Sequence, residues 1–196
     1  MQENRMYSQM LKAAYRWLAE RQPEDIAEKA GVTFDGSGFH FESLGIPVTV
    51  SYPAYQITPA LDPWHQLIIL HYLHLADGTP LSYQTIAFAQ QRDGMVRGGG
   101  LDRKAEAVIS KLELNALKQR CEVMGCKEKA ANADYCVELP LLPMYPVTLN
   151  YWQADEEFPA SGRLLTDSSA EHYLTIEDAV TAGELLLQIL ERPYEA

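Results

Sequence analysis

Basic residues are scarce in this 196-residue chain, cysteines are scarcer, and long apolar runs are missing. Lys and Arg number 16 against 27 Asp and Glu, a formal net charge of −11. Proteins that bind nucleic acid displace counterions from phosphate with a basic footprint. This chain has none, which excludes that class and disfavours an anionic membrane surface for the same reason. The longest apolar stretch, around Leu67–Leu75, is interrupted by His71 and His74 and is too short to span a bilayer. The opening residues Met1–Tyr7 lack the basic start and apolar run of a signal peptide. Three cysteines, Cys121, Cys126 and Cys136, are odd in number, and without a secretion signal they argue against a disulfide framework. Together these absences predict a soluble, cytoplasmic protein with no nucleic-acid or membrane partner.

What is present is ordinary for a globular fold: 47% hydrophobic and 22% charged residues. The length fits one large domain. The negative charge is not spread evenly. Residues 151–196 carry ten acids against two bases, which places −8 of the −11 in the last quarter of the chain.

Apolar periodicity predicts a helix over Met6–Glu20, with Met6, Met10, Ala13, Ala14 and Trp17 at helical spacing. Pro23 opens a short helix and Gly31 ends it. Alternation around Gly36-Ser37-Gly38 predicts a hairpin of Val32–Asp35 and Phe39–Glu42, with a third strand at Val48–Tyr52. Asp62-Pro63 is a strong helix start. The helix it opens, to about Ala76, is apolar on nearly all faces and so should be buried on most sides. Leu81–Ala89 leans towards strand, Arg92–Gly100 towards loop, and Leu101–Met124 forms the longest helical pattern. Ala133–Leu139 and Val147–Trp152 read as strands joined through Pro140, Pro143 and Pro146, prolines that suit a sheet edge or a wide connection. Thr175–Asp178 resembles a cap before a last helix ending near Leu190. No regular β-α-β alternation appears, so the expected fold is α+β: a mostly antiparallel sheet packed with about four to five helices. Residues 1–20 would be a helical extension on a single domain at 21–192.

The richest candidate site is Trp152-Gln153-Ala154-Asp155-Glu156-Glu157-Phe158-Pro159, followed by Asp167 and by His172-Tyr173 with Glu177-Asp178. Function tends to sit on unusual loops held by a rigid scaffold. Paired carboxylates shift each other's pKa or hold a hard cation such as Mg²⁺ or Ca²⁺. If the loop folds back on the last helix, Asp155, Glu156, Asp167 and Glu177 converge, with His172 between them as base or ligand. The plainer reading is that Asp155 and Asp167 cap turns while Glu177 and Asp178 complement a helix dipole.

Three further groups stand out. Arg97-Gly98-Gly99-Gly100 before a helix suggests an anion site at Arg97, Gly99 and Arg103, although no Gly-Lys-Ser/Thr follows and a loop is the plainer reading. The cysteines lie five and ten residues apart, which matches no zinc or iron–sulfur spacing. His71 and His74 share a helical face, without the glutamate and four-residue gap of a zinc-protease helix. No Gly-x-Ser-x-Gly elbow is present.

Several of these pieces resemble a family of anaerobic bacteria and archaea, the domain-of-unknown-function family 3786. They are Arg21-Gln22-Pro23-Glu24 with Ala30-Gly31, Leu67–Leu75, Leu139-Pro140 with Pro143, Trp152–Ala160, Leu164–Asp167, and Tyr173-Leu174 with Glu177-Asp178. The likeness covers about residues 21–190, and the Trp-to-Pro motif is its specific part. It implies one domain and no assigned activity. Some relatives carry an added cysteine-rich segment of iron–sulfur type, which this chain lacks, so that cofactor is not carried over.

The leading expectation is therefore a non-catalytic accessory domain that binds a small molecule or a protein partner. Its site would comprise Trp152, Asp155, Glu156, Phe158, Asp167, His172, Tyr173 and Glu177, with no cofactor, though a divalent cation would fit the acids. One alternative is a metal-dependent, hydrolase-like enzyme using the C-terminal carboxylates. Another is a structural subunit whose acids merely cap separate elements.

Overall fold

A computed structural model describes residues 2–192. Helix α1 (Gln2–Ala19) leads into α2 (Pro23–Ala30), which begins at Pro23 and stops at Gly31. Four strands follow: β1 (Thr33–Phe34), β2 (Gly38–Ser43), β3 (Ile46–Ser51) and β4 (Ile57–Thr58). They form an antiparallel sheet in chain order. Asp62 then caps α3 (Pro63–Leu75), its carboxylate accepting the Trp64 N–H at 2.9 Å. As its all-round apolar sequence requires, α3 is enclosed, packing against α1, α2 and α6 (Ile176–Glu191).

A second antiparallel sheet holds β5 (Thr85–Ile86), β6 (Lys127–Glu128), β7 (Tyr135–Leu142), β8 (Tyr145–Trp152) and β9 (Ser161–Asp167), in the order β5-β9-β8-β7-β6. Helix α4 (Gly94–Ile109) packs on β9 and α6, and α5 (Leu114–Val123) follows it. The two sheets join where Leu44 N–H donates to the Pro140 carbonyl (2.8 Å) and Ser43 Oγ donates to that of Leu141 (2.6 Å). Because that serine hydrogen is committed, His65 Nε2–H must donate to Ser43 Oγ, 2.8 Å away. The α+β class holds, with six α-helices and two sheets among the described residues.

Four local expectations are corrected. Residues 92–100 do not form a loop, because α4 starts at Gly94 and runs through the glycines. A methyl group at Gly98 would lie 2.3 Å from the Phe88 carbonyl oxygen, and one at Gly94 2.2 Å from the same atom. These glycines therefore let the 3-10 turn at Phe88–Gln90 lie against the helix, and Asp102 fastens it by accepting the Phe88 and Ala89 N–H groups. The long pattern at 101–124 breaks into two helices where Glu113 caps α5 through the Asn115 and Ala116 N–H groups. Of Leu81–Ala89, only Thr85–Ile86 is strand. Ser161–Asp167, to which the sequence assigned no element, is a strand inside the second sheet. Gly162 is essential to it, since a methyl there would fall 2.0 Å from an Ile109 methyl of α4. The prolines are at neither an edge nor a wide connection: Pro143 sits in the tight turn between β7 and β8, and Pro140 and Pro146 lie within an irregularity of their pairing, a bulge where a missing N–H costs no ladder bond.

Candidate functional site

The β8–β9 connection closes one end of the second sheet, where Trp152 pairs with Ser161. Asp155 organises the turn. Its Oδ1 accepts the N–H groups of Glu157 (2.8 Å) and Phe158 (2.7 Å), and its own N–H donates to the Phe158 carbonyl (3.0 Å). The backbone donors of Phe158 and Glu157 hold its carboxyl below the usual range. Asp134 does similar work next door, with Oδ2 accepting the Gln153 N–H at 2.7 Å. The indole of Trp152 is fixed by its N–H bond to the Asn132 carbonyl (2.9 Å), and the Arg163 guanidinium lies 5.8 Å from its ring centroid. Phe158 stays 66% exposed.

These groups line an open cleft of about 610 Å³, together with Pro159 and Ser161, a size that suits a small ligand. Its chemistry is mixed: two aromatic rings, one guanidinium, and two carboxylates each with one oxygen engaged. Trp152, Asp155 and Phe158 are thus brought together as the sequence suggested, and Glu156 is exposed on the same turn.

The other four expected residues lie elsewhere. Asp167 ends β9, six residues from Ser161, or roughly 20 Å along the strand. It accepts the Tyr83 N–H (2.7 Å) and the N–H and hydroxyl groups of Ser82 and Ser169, which tie down the 82–84 and 168–169 segments. Burial pushes its carboxyl up, but the Ser169 and Ser82 donors outweigh that and hold it low. His172 Nδ1 pairs with Asp77 Oδ2 at 2.7 Å. Tyr173 is fully buried, its ring stacked on Tyr72 at 5.8 Å and its hydroxyl donating to the Thr79 carbonyl. Glu177, at the start of α6, pairs with Arg97 at 2.6 Å. The expected convergence of Asp155, Glu156, Asp167 and Glu177 does not occur. Among the described residues, no three His, Cys, Asp or Glu side chains are gathered to hold a metal ion.

The anion-site residues are also redistributed. Gly99 lies within α4, so its N–H belongs to the helical ladder, and Arg97 is occupied by Glu177. Arg103 lines a smaller cleft of about 290 Å³ beside Asp102 and Glu106, acids that oppose an anion.

Sequence reasoning missed Arg163, Asp134, Gln153 and Ser161. For Ser161 and Arg163 the signal was the pairing of β8 with β9, which places them beside Trp152 and Asn150 once Ser161–Asp167 is read as a strand. His71 and His74 prove to be packed helix residues. Trp17 of α1 stacks on His74 (centroids 5.2 Å, 22° between planes) and lies 5.8 Å from His71.

One family model, described as Domain of unknown function (DUF3786), matches residues 22–189. No curated protein and no solved structure matches the chain. Among the described residues, no helix is long and apolar enough to cross a membrane.

Proposed function

Since this chain belongs to the DUF3786 family, a domain of unknown function that lends it no reaction, we propose from the cleft itself that the protein is a small-molecule binding domain. The observation that carries this reading is the fixed indole of Trp152, locked by Asn132 and flanked by Arg163, facing a cleft it shares with the exposed Phe158. A ring held in place before binding loses little freedom on binding, which is what makes aromatic walls effective. The ligand this chemistry suits has a flat apolar face and hydrogen-bond donors, hydroxyl or ammonium, at its edge. Donors would meet the oxygens of Asp134 and Asp155 left over from the turn.

The reading assigns no resident cofactor and no catalytic role. Ser161 has no histidine or lysine among the cleft residues to activate it, and Asp134 and Asp155 each hold a backbone N–H. Cytoplasmic location goes with it, supported by three unpaired cysteines, and the charge of −11 speaks against nucleic acid as the partner.

A thermal-shift screen of sugars, amines and amino acids tests the reading. At least one of these classes raises the melting temperature of the unaltered protein and fails to raise that of Trp152→Ala. If no class shifts it, or if Trp152→Ala and Phe158→Ala respond as the unaltered protein does, the cleft is not a binding site.

A further inference from the structure

A second feature, independent of the cleft, lies at the end of α5. Cys126 N–H donates to the Cys121 carbonyl (2.9 Å) and Gly125 N–H to that of Glu122 (3.0 Å). Gly125 takes the left-handed conformation, with φ +68°. This paired-bond helix stop brings together the side chain three residues inside the helix end and the one two residues beyond the cap. Ordinarily both are apolar. Here both are thiols, set side by side by those two backbone bonds. Cys121 is buried while Cys126 is half-exposed. Tyr135 of β7 adjoins the pair, and the Lys118 ammonium stands 5.3 Å from its ring centroid. The turn is also held from behind, since a methyl at Gly45 would lie 2.8 Å from the Val123 carbonyl oxygen. The third cysteine, Cys136, is buried on β7, and neither of the other two thiols contributes to its ionisation.

We propose that Cys121 and Cys126 are a redox-active dithiol that closes reversibly to an intramolecular disulfide by exchange with a low-molecular-weight disulfide. The half-exposed Cys126 thiolate attacks one sulfur of the incoming disulfide. That S–S bond breaks, one small thiol leaves, and a mixed disulfide remains on Cys126. The Cys121 thiolate then attacks Cys126 Sγ, the mixed bond breaks, and the second small thiol leaves. The protein has given up two electrons and two protons, and the incoming disulfide has taken both as two thiols.

Exposure selects Cys126 for the first attack, and the electrostatics favour Cys121 for the second. The Cys121 thiol is held below the ordinary thiol range, because the Cys126 S–H, the Tyr135 hydroxyl and the Arg120 charge favour its thiolate. The Cys126 thiol is held above that range by the Cys121 thiolate and by burial. Closure proceeds because the mixed disulfide has already removed the competing negative charge.

The test exposes the purified full-length protein to excess oxidised glutathione, then quenches it in acid, denatures it and alkylates it for mass spectrometry. The expected product has lost two hydrogens, carries no glutathione, and is alkylated at Cys136 alone. Dithiothreitol restores all three alkylations. Cys136→Ser closes as the unaltered protein does, Cys121→Ser stops with one glutathione on Cys126, and Cys126→Ser takes up none at Cys121. The proposal is overturned if the unaltered protein keeps three free thiols, or if glutathione stays on Cys126 while Cys121 remains alkylatable.

Discussion

His71 of α3 and Asp178 of α6 meet inside the protein, Nδ1 to Oδ1 at 2.7 Å, both about 8% exposed. Thr175, the residue that caps α6, donates its hydroxyl to the other oxygen of Asp178 (2.8 Å) and accepts the Asp178 N–H (3.2 Å). One carboxylate thus holds the capping hydroxyl of α6 and fixes α3 against that helix. Asp178→Ala removes both functions and leaves a buried imidazole N–H unmatched, at an expected cost of about 2–4 kcal/mol. Asp178→Asn, which keeps an acceptor, costs less. Urea unfolding measures both, and a loss below about 1 kcal/mol for the alanine variant would show the pair to be incidental.

Gly98 and Gly100 offer a contrast within one helix. Gly98→Ala drives a methyl into the Phe88 backbone and destabilises the protein by more than about 1 kcal/mol. Gly100 has nothing within 4 Å of where a methyl would stand. Gly100→Ala therefore gains up to about 1 kcal/mol from helix propensity. Opposite signs in thermal unfolding are expected, and equal signs would contradict the helical assignment of residues 94–100.

The acid limb of stability belongs in part to Asp167. Its carboxyl is held below the unfolded value, so its contribution is complete above about pH 4, where the unfolded carboxyl is ionised. That contribution fades as pH falls further and the folded group takes up its proton. Denaturation midpoints measured from pH 6 down to 2 should decline less steeply in Asp167→Asn, because that variant lacks the proton linkage. An unchanged slope would remove Asp167 as a source.

Two histidines act nearer neutrality. Burial lowers the pKa of His65 and, with the Arg21 and His71 charges, that of His74. The unfolded chain therefore binds protons that these folded side chains resist. Stability is full above about pH 7 and falls as pH drops through roughly 6.5, the unfolded histidine value. His65→Gln should flatten the curve between pH 7 and 5 even if it lowers the plateau, as midpoints across that interval would show.

Phe158 separates recognition from folding. At 66% exposure it has little packing to lose, so Phe158→Ala should change stability by less than about 0.5 kcal/mol. A ligand that shifts the melting temperature of the unaltered protein should shift this variant's less. A large stability loss instead would mean the ring belongs to the core.

Punctuation and amphipathic stripes were readable from the sequence. Pro23, Gly31, the Asp62-Pro63 start and the Thr175 cap all act locally, and all fall where the residues indicated. Contacts between distant segments were not readable in this way. The run Gly98-Gly99-Gly100 looks like a loop until the backbone at Phe88 is seen lying on it. Gly162 argues against a strand until Ile109 fills its space. The site followed the same rule. Trp152 ends β8, Asp155 and Phe158 follow in the turn after it, and the three were legible as a group. Arg163 joins them only across the β8–β9 ladder, while Asp167 is carried away by the length of the same strand.

Helix α1 lies outside the stretch matched by the family, 22–189. Yet Ala14 and Leu18 are completely enclosed, the Tyr55 hydroxyl donates to the Leu18 carbonyl, and Trp17 covers His74. A fragment trimmed to the shared boundary would lay bare an oily trough along α3, and such surfaces make proteins stick to their own copies.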